Sequence, residues 1–385
     1  MPSQPPCKPV IVCVVAARPN FMKMAPILRA FARPDFAARP VLVHTGQHYD
    51  ADMDSDFFTA LDIAAPDFRL EVGSASHAWQ TAEVMRRFEP VLDQVAPSAV
   101  LVVGDVNSTL ACALTAAKKN IPVFHVEAGL RSHDRAMPEE INRVLTDQVA
   151  ELLFTSEASG TSNLLREGIG AGRIHFVGNV MIDTLRLRLS SAPSVAQVLR
   201  DANLAGFIAD GATYALLTLH RSSNVDDPQR LRSLLGTVAR LSADVPVLFP
   251  LHPRTRAMIH QHDLSDLLDA PGLACMQPQP YLAMLAMMQA ARMVLTDSGG
   301  VQEETTALGV PCLTLRENTE RPITVTEGSN AIAGRDPAVI LALSRDILRF
   351  GGKAGRVPQY WDGHAADRIA AAVNAWYAQR RRRRP

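Results

Sequence analysis

Short runs of valine and leucine recur along this chain, and most lead through a polar turn into a stretch with helical spacing of apolar residues. In the first half the runs are Val10 to Ala16, Pro40 to Thr45, Ala99 to Val103, Pro122 to Val126, Leu152 to Thr155 and Ile174 to Val177. In the second they are Tyr214 to Leu219, Pro246 to Leu251, Leu273 to Met276, Met293 to Leu295 and Pro311 to Leu315. A run that is apolar throughout, not at alternate positions, suits a strand buried on both faces of a helix-covered parallel sheet. Repeated strand-helix-strand order predicts doubly wound α/β architecture. At 385 residues the chain exceeds one ordinary core, so two domains are expected.

The expected division is residues 1–180, residues 181–363 and a C-terminal helix over 364–385 that folds back on the first domain and ends in the run Arg380 to Arg384. Local signals refine the elements. Asn107 is expected to cap a helix from Ser108, and Pro138 to sit in the first turn of a helix ending near Ala150. Ala51 to Leu61 reads as a helix and Asp67 to Val72 as a short strand.

Formal net charge is zero, so no global field draws nucleic acid, and the arginine run reads as a solvated helix end. Five cysteines at wide spacing, with no CxxC pair, support neither a disulfide framework nor a zinc site. Buried thiols in a cytoplasmic protein are expected. The segment Met1 to Pro9 lacks the apolar core of a signal peptide, and no apolar run approaches the ~20 residues that span a membrane.

The stretch Met293 to Leu315 carries the sharpest local chemistry: a strand, the turn Thr296-Asp297-Ser298, a helix opened by Gly299 and Gly300, and a second strand. Free N–H groups at a helix start suit a phosphate, and Glu303 and Glu304, about one turn inside, suit ribose hydroxyls. Asp297-Ser298-Gly299-Gly300 also looks like the nucleophile segment of some serine proteases, but there the serine lies between strands and here it opens a helix. The first strand-turn-helix lacks GxGxxG, so a nicotinamide dinucleotide is not indicated.

Polar groups gather after the strands of both halves. They are Arg18 with Lys23, Gln47 with His48, Asp105, and Glu127 with Arg131 in the first half, and His220, His252 and Ser298 to Gly300 in the second. In doubly wound sheets this edge is the ligand crevice. Two such sheets facing across a cleft would set carboxylates against histidines and helix N-termini, which suits a nucleotide sugar.

Several segments occur together in order: Ala17-Arg18-Pro19-Asn20-Phe21-Met22-Lys23, Thr45-Gly46-Gln47-His48, Gly104-Asp105, His125-Val126-Glu127-Ala128-Gly129-Leu130-Arg131, Pro138-Glu139-Glu140-Ile141-Asn142-Arg143, Gly178-Asn179, Leu219-His220-Arg221, Thr296 to Glu304 and Glu320-Arg321-Pro322. With them the chain resembles the non-hydrolysing UDP-N-acetylglucosamine 2-epimerases over roughly residues 10–345. The resemblance implies two Rossmann-like domains of glycosyltransferase-B type and a homodimer. It also implies interconversion of UDP-N-acetylglucosamine and UDP-N-acetylmannosamine with no metal or nicotinamide cofactor.

By the same resemblance UDP leaves C1 while the C2 proton is removed, a 2-acetamidoglucal forms, and UDP re-adds with the proton delivered to the other face. Asp105, Glu127 and Glu139 match the proton-handling carboxylates, undivided between the two faces. Arg18, Lys23, His220, Ser298, Gly299 and Gly300 match positions for the diphosphate, and Glu304 the ribose ligand. Gln47, His48, Arg143, His252 and Arg321 match further contacts to the nucleotide sugar. His48-Tyr49-Asp50 and His220-Arg221-Ser222-Ser223-Asn224 depart from members activated by their own substrate, which argues against an allosteric sugar-nucleotide site. A hydrolysing relative, and a sugar altered at C4 or C6, stay open as alternatives.

Overall fold

The computed structural model describes residues 8–46, 61–209 and 211–383. The chain forms two compact units: Met1–Thr184 together with Gln359–Pro385, and Leu185–Pro358.

The first unit is built on strands β1 (Val10–Val15), β2 (Arg39–His44), β3 (Phe68–Arg69), β4 (Ala99–Val103), β5 (Val123–Val126), β6 (Leu152–Thr155) and β7 (Ile174–Phe176). They lie in the order β3-β2-β1-β4-β5-β6-β7, all parallel. Its helices are α1 (Arg18–Phe31), α2 (His77–Val95), α3 (Asn107–Lys118), α4 (Pro138–Val149), α5 (Ala158–Arg166) and α6 (Val180–Leu189). Val12, Val14, Val100 and Val102 of the sheet pack with Val84 and Phe88 of α2 and Ala111 of α3. The strand order reverses between β1 and β4, which opens the crevice of a doubly wound sheet at their carboxyl ends.

The helix Ala365–Arg383 belongs to this unit and packs on α1. Its start is capped from outside. The Asp183 carboxylate of α6 accepts the Ala365 N–H at 3.1 Å and the Ala366 N–H at 2.7 Å. Burial nonetheless pushes that carboxyl up to about 6. Just before the helix, Trp361 is only 1% exposed, and its indole N–H donates to the Ser156 carbonyl at 3.0 Å.

The second unit carries α7 (Val195–Asp201), β8 (Ala215–Thr218), α8 (Ser222–Val225), α9 (Pro228–Leu241), β9 (Val247–Pro250), α10 (Pro253–Gln261), β10 (Leu273–Met276), α11 (Tyr281–Ala290), β11 (Met293–Thr296), α12 (Gly299–Leu308), β12 (Cys312–Thr314), α13 (Pro322–Thr326), β13 (Asn330–Ile332) and α14 (Pro337–Phe350). The sheet order is β10-β9-β8-β11-β12-β13, again parallel, with its reversal between β8 and β11. The central strands β8, β9 and β11 each feed two cores. Leu217, Phe249 and Leu295 join one cluster, while Leu216, Leu248 and Val294 join another. This two-sided burial is the physical reason the strands read as unbroken apolar runs.

Three details differ from the sequence reading. Helix α3 starts at Asn107 after Val106, with no side-chain cap. The Asn107 amide instead donates to Gln80 Oε1 at 2.8 Å, while Asn142 Nδ2 donates to Asn107 Oδ1 at 3.2 Å, so tertiary partners outbid the local cap. The short edge strand β3 pairs only at Phe68–Arg69. Helices α8, α10 and α13 and strand β13 were not visible in sequence because elements of three to nine residues barely display a periodicity. The helix expected over 51–61 lies outside the described residues. Among the described residues no helix is long and apolar enough to cross a membrane.

Candidate active site

In the first unit the residues that follow β4 and β5, Gly104 and Glu127, both adopt a left-handed backbone, with φ of 68° and 71°. For a non-glycine residue such as Glu127 this costs roughly 1–2 kcal/mol, so the surroundings must enforce it. They do. The N–H groups of Glu127 and Ala128 both donate to the Phe154 carbonyl at 3.0 Å. Preceding them, the buried His125 bridges Asp147 Oδ1 at 2.7 Å and the Gly104 carbonyl at 2.9 Å. Asp147 also accepts the Gly129 N–H at 3.1 Å and meets Arg131 Nη2 at 2.7 Å. Arg131 in turn grips both oxygens of Glu167 at 2.7 Å.

So held, Glu127 Oε2 forms an ion pair with Lys23 Nζ of α1, and both side chains are buried. Gly104 makes room for this pair. A Cβ there would lie 3.2 Å from Lys23 Nζ, 3.3 Å from Glu127 Oε2 and 3.4 Å from Asn20 Nδ2. Asn20 ties α1 to the end of β4 by donating to the Val103 carbonyl at 3.0 Å. Lys23 is thereby delivered to the β1/β4 reversal.

Asp105, one residue on, meets Arg143 Nη2 of α4 at 2.6 Å, and Arg143 Nη1 lies 3.1 Å from Glu140 Oε2. Glu140 also accepts the Ser132 N–H at 2.9 Å and the His133 N–H at 3.0 Å, pinning the loop that precedes α4. Glu139 is half-buried in the first turn of α4, where the helix dipole favours an acid. Lys23, Glu127, Asp105, Arg143 and Glu139 therefore all stand on or beside one sheet edge. Gln47 and His48 lie outside the described residues, as does the side chain of Arg18, whose backbone begins α1.

In the second unit Asp297, fully buried, organises the end of β11. It accepts the N–H groups of His220 at 3.1 Å and Arg221 at 3.0 Å, and the Asn224 amide at 3.1 Å. His220 Nδ1 lies 3.1 Å from its Oδ1. Burial opposes ionisation of Asp297, but these donors, led by His220, hold its carboxyl below the usual range. The His252 ring lies 5.5 Å from that of His220, and His252 Nδ1 accepts the Arg254 N–H at the start of α10.

Helix α12 opens after Ser298 with no side-chain cap. A Cβ on Gly299 would come within 3.0 Å of Glu320 Oε1. Glu320 stands among Arg316 at 2.8 Å and Arg221 at 3.5 Å. Although burial opposes it, Arg321, Arg316 and Arg221 hold its carboxyl down at about 2. Arg321 Nε itself meets Glu303 Oε1 at 2.7 Å. One turn into α12, Glu304 is 5% exposed and its carboxyl faces the Tyr281 hydroxyl. Burial pushes its carboxyl up to about 8, a rise that Tyr281 opposes and Glu303 adds to.

A family model described as UDP-N-acetylglucosamine 2-epimerase matches residues 32–374. The chain belongs to that family. A UDP-N-acetylglucosamine 2-epimerase of Methanococcus maripaludis is 41% identical over 87% of this chain and 91% of its own length. The UDP-2,3-diacetamido-2,3-dideoxy-D-glucuronate 2-epimerase of Pseudomonas aeruginosa is 39% identical over 94% of this chain and 98% of its own. Among solved structures, Methanocaldococcus jannaschii UDP-GlcNAc 2-epimerase in complex with UDP-GlcNAc and UDP aligns with a TM-score of 0.86 and 37% identity, covering 95% of this chain and 99% of that one. The two parallel sheets are the Rossmann-like pair of the glycosyltransferase-B-type architecture expected of an epimerase of this family.

Sequence reasoning missed residues that hold this family's motif segments in place. Asp147, Glu167 and Tyr281 carry no local signal, because each meets its partner from another element, and Arg316 reaches Glu320 across an irregular loop that shows no periodicity. Asn20 and Glu320 sit inside recognised segments, yet their contacts to Val103 and Gly299 are long-range.

Proposed function

We propose that this protein epimerises UDP-N-acetylglucosamine and UDP-N-acetylmannosamine at C2 by eliminating and re-adding UDP, without net hydrolysis. The observation that carries the reading is the buried Lys23–Glu127 pair, held by a Glu127 backbone in the left-handed region. A strained, fully supported carboxylate at the carboxyl edge of a doubly wound sheet marks a functional site more than a structural one.

The chemistry assigns the parts. A base takes the C2 proton while the C1–O bond breaks, its electron pair leaving with the diphosphate and a C1=C2 double bond forming. On return, a proton is delivered to the opposite face of C2 and a diphosphate oxygen attacks C1. Two faces require more than one proton-handling group, and Glu127, Asp105 and Glu139 supply them. Lys23 and Arg143 set the charge around Glu127 and Asp105. In the second unit the uncapped start of α12 at Ser298, Gly299 and Gly300 suits the diphosphate. His220, held by Asp297, assists its departure; Arg18, Gln47, His48, His252 and Arg321 add contacts, and Glu304 takes the ribose. The protein works in the cytoplasm as a homodimer, a state that sedimentation equilibrium measures.

Incubation with UDP-N-acetylglucosamine in heavy water tests the reading. NMR should show deuterium at C2 of both nucleotide sugars with UDP conserved. Release of free UDP and N-acetylmannosamine would instead identify a hydrolysing enzyme. The Pseudomonas relative favours a second reading, a UDP-N-acetyl sugar modified at C3 and C6. Parallel assays with UDP-2,3-diacetamido-2,3-dideoxyglucuronate decide between the substrates by kcat/KM.

A further inference from the structure

Asp105 and Glu127 follow different strands, yet one side chain reaches both turns. His125 lies on β5 and is fully buried. Its Nε2 is 2.9 Å from the Gly104 carbonyl and its Nδ1 is 2.7 Å from Asp147 Oδ1. A carbonyl and a carboxylate only accept, so both ring nitrogens donate and the ring carries a positive charge. That charge is matched where it lies. Asp147 Oδ2 takes the Gly129 N–H and meets Arg131, and Arg131 meets Glu167, so two cations stand against two carboxylates.

The bridge acts on backbone as well as on charge. The Gly104 carbonyl belongs to the peptide unit that enters Asp105. The unit that leaves Asp105 is held too, because Asn142 Nδ2 donates to its carbonyl at 2.9 Å. On the other turn, Asp147 accepts the N–H of Gly129, two residues beyond Glu127, at 3.1 Å. Asn142, Arg143 and Asp147 all stand on α4, so one helix sets both turns. Proton transfer is far more sensitive to such placement than folding is, since an error of about 1 Å can cost roughly a hundredfold in rate.

We propose that His125 and Asp147 are positioning residues, which bridge the two turns and fix the spacing of Asp105 and Glu127 for proton transfer at C2. This rests on the reaction reading given above and extends it to two residues that touch no substrate.

Two measurements on the full-length protein test it. In protein labelled with nitrogen-15 histidine, long-range nitrogen–proton correlation at neutral pH should show His125 protonated on both ring nitrogens, its signal identified by its loss in His125→Asn. A ring protonated on one nitrogen makes no bridge and overturns the inference. The second measurement follows UDP-N-acetylglucosamine in heavy water with the wild type, His125→Asn, which keeps a donor toward Asp147 and drops the one to Gly104, and Asp147→Asn. In each variant kcat should fall at least about tenfold while KM stays within about threefold. The early ratio of deuterium at C2 in recovered substrate to that in UDP-N-acetylmannosamine should also shift by at least about threefold, because the two proton-handling groups no longer keep their spacing. Loss of folded protein lowers the rate and leaves that ratio alone. An unchanged ratio in both variants therefore assigns the pair to stability and overturns the inference while the reaction reading stands. Wild-type protein that places no deuterium at C2 overturns both.

Discussion

Lys23 Nζ and Glu127 Oε2 form an ion pair with both side chains out of water, between a helix that follows β1 and a residue that follows β5. Neither charge has bulk solvent to fall back on, so each depends on the other. Glu127→Gln should abolish deuterium exchange at C2, a loss of at least about a hundredfold, and leave UDP binding intact. Lys23→Met should lower stability by about 3–5 kcal/mol by taking a buried cation from beside the carboxylate, and the double variant should recover part of that loss. Denaturant melts and exchange rates on the three variants check this. Full exchange in Glu127→Gln would remove Glu127 from the chemistry.

Gly104 leaves the space this pair occupies. Gly104→Ala adds a methyl against Lys23 and Glu127 and puts a side chain at a positive φ. It should cost about 1–2 kcal/mol of stability and reduce kcat more than it raises KM. Thermal melts with initial-rate kinetics check both.

Glu304 ties stability to pH. Its carboxyl is raised by burial to about 8 in the folded chain, from an ordinary 4.5. The native state therefore keeps a proton that the unfolded chain releases. The stabilisation is complete below pH 4.5 and is lost as pH rises through 8, by up to roughly 5 kcal/mol. Glu304→Gln should flatten that limb. Urea midpoints of unliganded protein between pH 5 and 9 measure it, and parallel slopes in the two proteins would exclude Glu304 as the cause.

Asp297 collects the N–H groups of His220 and Arg221 and the Asn224 amide. Asp297→Asn keeps the shape but loses the charge and one acceptor, so it should cost about 2–3 kcal/mol. With its carboxyl below the usual range, Asp297 stabilises above its ordinary value near 3.8 and fails as pH falls further, so the variant should lose part of the wild-type acid transition. Acid titration followed by hydrogen exchange of second-unit amides reports both effects, since all three tryptophans lie in the first unit.

Trp361 anchors the returning C-terminal segment to the first unit. Trp361→Ala should cost about 3–5 kcal/mol, with the larger loss in that unit. Hydrogen exchange at the Ala365 and Ala366 amides, which Asp183 accepts, should rise together with the drop in melting temperature.

Much of this was legible from sequence because it is local. The unbroken apolar runs reported two-sided burial, and Pro138 reported a helix start, since each acts through its own backbone. The motif segments named the family, and within them Lys23, Glu127 and Asp105, without saying which meets which. Strand order was not written in any local run. Only the tertiary structure put β1 beside β4 and β8 beside β11, bringing residues 104 positions apart, Lys23 and Glu127, into one buried pair. The left-handed backbone of Glu127, the Asp147 brace behind it and the meeting of Tyr281 with Glu304 arise the same way. A sequence fixes what each residue can offer, whereas desolvation and pairing depend on which distant groups the fold brings within hydrogen-bond reach.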